Sequence, residues 1–325
     1  MCYIELHCHS CFSFREGAST PLELVLQARK LGYPALALTD HDGLAGAMEF
    51  AQVAKEWGVQ PIIGAEITLR GSVCRGTPRR AQGGRTVAPT RFRSPRRSNH
   101  GAGGGQKAAS LDGQGAAHHL TLLAETPRGY ANLSRLISMA HLDSPRGEPA
   151  LDPQALEGRT EGLIALSGCR EGAVPALVAA GDAEGARRAA GHYLELFGRE
   201  RFFLELQDNL VYGDRRRNRG LVELARGLGV GVVATNNVHA HERARHRLQD
   251  VLVAVRHRTT LDASEHLRRK NSESYLKSPQ EMAALFAGLP EALRNSVAIA
   301  ERCVASPQAL FQSALPNPHP HLDDT

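Results

Sequence analysis

Short apolar runs alternate along this chain with longer stretches in which apolar residues recur every three or four positions. The first kind of pattern predicts strands and the second predicts amphipathic helices. Residues 3–9 read as a strand, 35–38 as a second, 60–69 as a third and 120–124 as a fourth, with further strands at 163–166, 202–206 and 230–235. Between them lie helices at 21–31, 44–57, 129–141, 182–197 and 215–228. The first of these has Ser19 or Thr20 as its cap and Gly32 as its stop. About seven β/α steps result. Such an order closes into a barrel or forms an open doubly wound sheet, and in both the ligands gather where strands end at their carboxyl edge. After His239 the pattern is helical only, at 248–255, 279–286 and 290–303, and the Pro- and His-rich end of the chain, 306–325, is expected to fray.

One interval breaks the pattern. Residues 71–117 hold nine basic residues against Asp112 alone, ten glycines, and only Val73, Val87, Phe92 and Leu111 as large apolar residues. That composition cannot build a core, so the stretch is expected to be a disordered insertion. It carries more positive charge than the whole chain's net +5, which leaves the remainder slightly acidic. Arg79, Arg80, Arg96 and Arg97 are its candidate DNA contacts, through sequence-independent phosphate binding; the plainer reading is a solvated surface loop.

The 325 residues suffice for one large barrel or two ordinary domains. No apolar run approaches the roughly 20 residues that span a bilayer, and Glu5 stands where a signal peptide would be basic and then apolar. The expectation is a soluble, cytoplasmic protein. Six cysteines, at 2, 8, 11, 74, 169 and 303, are too few and scattered for a disulfide framework. Cys8 and Cys11 form an isolated Cys-x-x-Cys, and Cys8 faces away from its histidine neighbours.

The chemistry sits at the strand ends. His7 and His9, two apart on a strand, point the same way. Further ligand-type residues follow in Thr39-Asp40-His41-Asp42, Gly64-Ala65-Glu66, His118-His119, Ser167-Gly168-Cys169 and Asn236-Asn237-Val238-His239. Imidazole, carboxylate and thiolate together suit Zn, Mn or Fe better than Ca or Mg. Several such cations close together lower the pKa of a bound water and neutralise charge on the oxygens of a phosphoester.

Glu5-Leu6-His7-Cys8-His9-Ser10, Gly17-Ala18-Ser19 and the run from Ala37 through Thr39-Asp40-His41-Asp42 to Leu44 resemble the opening of a PHP (polymerase and histidinol phosphatase) domain. The form they resemble begins the alpha subunit of bacterial DNA polymerase III in its error-prone branch. His119-Leu120-Thr121-Leu122-Leu123-Ala124, Leu166-Ser167-Gly168-Cys169, Leu248-Gln249-Asp250-Val251-Leu252 and Thr259-Thr260-Leu261-Asp262 continue the resemblance. It implies a distorted seven-stranded, TIM-like β/α barrel over 1–70 and 118–242. A helical segment, 243–305, would lead toward a polymerase palm that this chain lacks. It also implies two to three divalent ions, for which the ligand set suits Zn or Mn, with Fe as a further candidate, and in some members hydrolysis of the 3′-5′ exonuclease type. DNA 3′ ends and other replication or translesion-repair subunits would be the partners, and no membrane. The implied ligands are His7, His9, His41, Glu66, His119, Cys169 and His239, with Glu16 where metal-competent members have Asp. Asn237 stands where they have a second Asp, and its neutral amide is a poor ligand. The alternatives are a non-catalytic structural barrel with a degraded metal site and a free-standing phosphatase of the histidinol-phosphatase type.

Overall fold

The computed structural model describes residues 2–71 and 117–303. All but the two end residues of the Arg/Gly-rich interval 71–117, with Arg79, Arg80, Arg96 and Arg97, and the tail 306–325 lie outside the described residues.

The chain alternates as the pattern predicts. Helix α1, Pro21–Lys30, starts on a reciprocal cap: Thr20 accepts from the Glu23 amide and the Glu23 carboxylate accepts from the Thr20 amide. Strand β1, Ala35–Leu38, is buried throughout, and α2, Ala47–Glu56, packs Phe50, Ala51 and Ala54 against the sheet. Next come β2, Gln60–Leu69; β3, His118–Ala124; α3, Pro127–Leu142; and β4, Leu163–Leu166. Then follow α4, Ala173–Ala180; α5, Ala183–Phe197; β5, Phe202–Gln207; α6, Asp214–Leu228; and β6, Gly231–Thr235. Helices α7, His246–Arg256; α8, Pro279–Leu285; and α9, Pro290–Arg302, complete the described chain.

The strands form one sheet in sequence order. β1–β2, β4–β5 and β5–β6 pair in parallel, whereas β3 runs antiparallel to both neighbours, with Glu66 opposite Thr121. Among the described residues the sheet has six strands rather than seven. Residues 3–9 are extended without a ladder of their own. They lie between β1 and the chain after β6: the Ala37 and Thr39 amides donate to the Glu5 and Cys8 carbonyls, and His7 and His9 exchange hydrogen bonds with Val238. The ladder is interrupted because side chains take its partners. The Glu5 carboxylate accepts from the His7 and Asn236 amides, and Thr39 Oγ1 accepts from the Cys8 amide.

Inside the sheet, Ile4, Leu6, Ala35, Ala37, Ile62 and Val233 belong to one buried cluster with Ile299, Ala300 and Cys303 of the α9 region. Ser296 Oγ accepts from the Ile4 amide, Asn295 donates to the Val232 carbonyl, and Arg302 pairs with Glu125 at the end of β3. α9 thus closes the end of the sheet where β1, β2 and β6 begin. The ligand-type residues gather at the opposite end. None of the described helices is long and apolar enough to cross a membrane.

Candidate metal centre

Tight turns bring the histidines together. Gly17 passes so close to Ser10 that a Cβ would lie 1.9 Å from the Ser10 carbonyl oxygen, which fixes the 10–17 turn. Gly168, at φ +86°, passes against His119; a Cβ there would lie 2.4 Å from the His119 carbonyl oxygen, and the turn brings Cys169 Sγ to 3.5 Å from His119 Nδ1. Asn237 adopts φ +47°, a left-handed conformation that Asn tolerates better than most residues.

Glu66 stands at the centre. His7 Nε2 and His119 Nδ1 lie 3.5 and 3.3 Å from one carboxylate oxygen; His9 Nε2 and His41 Nε2 lie 3.5 and 3.2 Å from the other. Both oxygens are buried and neither has a hydrogen-bond partner among the described residues. Among the described residues, three groups of ligand atoms are compact enough to hold an ion: His7-His9-Glu66, His41-Glu66-His119 and His9-His41-His239. They share members, so their sites are contiguous. Glu16 reaches His41 Nε2 at 2.8 Å but also ion-pairs with Arg256. Cys169 touches His119 from the edge of the cluster, and the Asn237 amide oxygen is buried without a partner.

Three imidazoles are held from behind. His7 Nδ1 bonds Glu205 at 2.6 Å, His9 Nδ1 bonds Ser13 Oγ at 3.2 Å, and His239 Nδ1 bonds the Asn237 carbonyl at 3.0 Å. In the tautomer that donates from Nδ1, His7 and His9 keep their Nε2 lone pairs for the cluster, the arrangement usual for metal-binding histidines, whereas the Nε2 lone pair of His239 is met by Arg269. Burial lowers the pKa of His9 and His239 well below the ordinary value, favouring the neutral form a metal requires. At His7 burial acts in the same direction but is outweighed by Glu205 and Glu66, and the pKa rises. Burial pushes the Glu66 carboxyl up, yet His7, His41 and His119 hold it well below the usual carboxylate range.

Several participants carry no motif. Glu205, in β5, also accepts from Gln207. Arg269, otherwise exposed in the loop between α7 and α8, donates from its guanidinium to His239 Nε2 at 2.7 Å. Glu171 lies 3.7 Å from His119 Nε2. Alternation along β5 would have placed Glu205 and Gln207 on one face, but nothing in the local sequence pointed to Arg269. Conversely, Asp40 and Asp42 brace loops: Asp40 accepts from Ser10 and Ser13, and Asp42 from Thr68. His118 and His241 belong to none of the three groups.

Residues 5–209 match the PHP domain family. The chain is 39% identical over 319 residues to an error-prone DNA polymerase from Symbiobacterium thermophilum, covering 93% of this chain and 25% of that protein. It is 36% identical over 304 residues to the DNA polymerase III subunit alpha of Treponema pallidum, covering 93% of this chain and 23% of that protein. The chain therefore spans about a quarter of the length of these curated relatives. Among solved structures, an amidohydrolase from Chromobacterium violaceum aligns with a TM-score of 0.39 and 15% identity, covering 73% of this chain and 87% of the other. With the family match covering more than half of its length, the chain belongs to the PHP domain family.

Proposed function

We propose that this chain is the PHP portion of an error-prone DNA polymerase of the DNA polymerase III alpha type, and that it hydrolyses phosphodiesters at DNA 3′ ends with two to three divalent ions, Zn, Mn or Fe. The same proposal includes the division into a barrel at 1–70 and 118–242, an insertion at 71–117, a helical segment at 243–305 and a tail. The observation that carries it is Glu66, a buried carboxylate held ionised among four imidazoles, with no hydrogen bond to either oxygen among the described residues. An ionised group in that state is costly unless a cation completes it, so the residues present fit a metal.

The ligands would be His7, His9, Glu66, His41, His119 and His239, with Glu16 and Cys169 at the margin and Asn237 contributing at most an amide oxygen. Bound divalent ions supply neutralisation of the charge that develops on the oxygens of a phosphodiester under attack. The protein's own groups do the rest. Glu205, Ser13 and the Asn237 carbonyl hold the rings in orientation. Arg269 brings a guanidinium to the same side, suited to a non-bridging phosphate oxygen. The test is release of nucleotides from a 3′-labelled DNA strand by the purified chain with Mn or Zn. Activity that is stopped by chelation and absent from the His7→Ala/His9→Ala double variant supports the proposal; a wild-type chain with no such activity overturns it.

A specific observation favours a second reading, a structural barrel whose metal site has drifted. Arg269 donates to His239, Arg256 pairs with Glu16, and Asn237 carries no charge. The protein's own cations thus lie against two ligands at the rim. On that reading the double variant folds and engages polymerase partners normally, and there is no nuclease activity to lose.

A further inference from the structure

We infer that a groove beside the metal centre, formed by the end of α4, the turn after β5 and the start of α6, carries the backbone of single-stranded DNA to the cluster. The inference rests on the phosphodiesterase reading for what happens at its end, but not for binding itself.

The groove encloses about 830 Å³. Its basic wall comes from the run Asp214-Arg215-Arg216-Arg217-Asn218-Arg219 at the start of α6. A charge run of this kind is more often a solvated helix face, and part of it has a structural job. Arg217 turns inward, donating to Asp214 at 2.9 Å and to the Gln207 carbonyl at 3.0 Å. The remaining arginines project outward. Arg215 is 82% exposed and loosely paired with Asp208 at 3.4 Å. Arg216 and Arg219 are exposed, with neither an ion pair nor a hydrogen bond among the described residues. Arg170, next in sequence to Cys169, also lines the groove and lies 4.0 Å from Asp214, so the unpaired guanidinium groups are those of Arg216 and Arg219.

A solvated face does not account for the aromatic ring. Tyr212 is fully exposed, and Leu210 beside it is half-exposed, over a floor that includes Val178 of α4. Unpaired guanidinium groups flanking a bare aromatic ring match what an unpaired nucleic acid strand offers, phosphates on one edge and bases free to stack on the other. A duplex keeps its bases stacked internally and offers the ring no face.

The turn that lines the groove is also tied to the loops around the centre. Asn209 donates to the Asn236 carbonyl, next to Asn237, and accepts at its own carbonyl from Asn271, two residues beyond Arg269. The turn bearing Leu210 and Tyr212 is thereby tied to the end of β6 and to the loop that reaches His239.

The experiment is fluorescence anisotropy of a labelled oligo-dT strand with the full chain, in EDTA so that no hydrolysis occurs. Arg216→Glu/Arg219→Glu is compared with Arg187→Glu/Arg188→Glu, the same charge change on exposed positions of α5. The groove pair is expected to weaken binding roughly tenfold more than the control pair and to flatten the log–log salt dependence by about 1.4, the share of two phosphate contacts on a single strand. Tyr212→Ala is expected to weaken binding at least about fivefold with an unchanged salt slope, as lost stacking should. Equal losses for the two arginine pairs, or full affinity in the Tyr212 variant, overturn the inference. Because the measurement is made in EDTA, binding is read apart from the catalytic proposal. If the groove variants differ as expected and no nuclease activity exists, the groove stands and the phosphodiesterase reading falls.

Discussion

Glu66 illustrates how much a single residue carries. In the sequence it is one carboxylate after a run of apolar residues; in the fold it is the point on which four imidazoles converge. The histidines were legible because strand alternation gives His7 and His9 a common direction and because the remaining ligand-type residues recur at strand ends. Their supports were not legible, because Glu205 acts across 198 positions of sequence and Arg269 arrives from a loop outside the sheet. Two predictions belong to this scale. Glu205→Gln removes the charged acceptor behind His7 and should lower metal affinity about 10- to 100-fold, as measured by competition with a chelating dye. Asn237→Asp should raise metal occupancy, since the backbone conformation there also suits Asp and the change adds a negative charge two residues from His239. Unchanged occupancy on dialysis against Zn or Mn would mean that Arg269 at His239, rather than the missing carboxylate, limits that position.

At the scale of elements, most helices and strands follow from periodicity, with ends shifted by one to three residues. The exceptions have physical causes. The 3–9 segment reads as a strand by its alternation, but Glu5 and Thr39 intercept the amides that a ladder would use. Helix α4 escaped the pattern because Ala173–Ala180 is apolar all round and contains Pro175, so no 3.6-residue stripe stands out; the proline is tolerated in the first turn, where its missing N–H costs nothing. α9 was legible as a helix, but its role in closing the end of the sheet was not. Ile299 is fully buried there, and Ile299→Ala should destabilise the fold by about 2–5 kcal/mol in urea unfolding. Cys303 reports on the same docking. Burial, with Glu125 adding to it, pushes its thiol up to about 12, so the reactive thiolate is scarce at neutral and mildly alkaline pH. At pH 8 an alkylating reagent should modify exposed Cys2 readily and Cys303 only as fast as α9 undocks. Because the folded pKa lies above the unfolded value, the stability contributed by the neutral thiol is fully present below about pH 8.5 and is lost as pH rises toward 12. The wild type should therefore lose stability more steeply than Cys303→Ala across that window.

At the scale of the whole molecule, the order of strands and the placing of ligands at one end of the sheet were foreseeable from the chain, as was the resemblance that the family match bears out. The reversed direction of β3 was not, because local pattern does not encode the sense of pairing. The two ends of the sheet divide the labour: α9 seals one with apolar contacts, and the other gathers imidazoles around a buried carboxylate. The central claim is that the second end holds metal. Its most direct test is the metal content of the purified chain, by elemental mass spectrometry after exhaustive dialysis. About two or more Zn, Mn or Fe ions per chain are expected, falling sharply in the His7→Ala/His9→Ala variant; fewer than about one per wild-type chain would contradict the account.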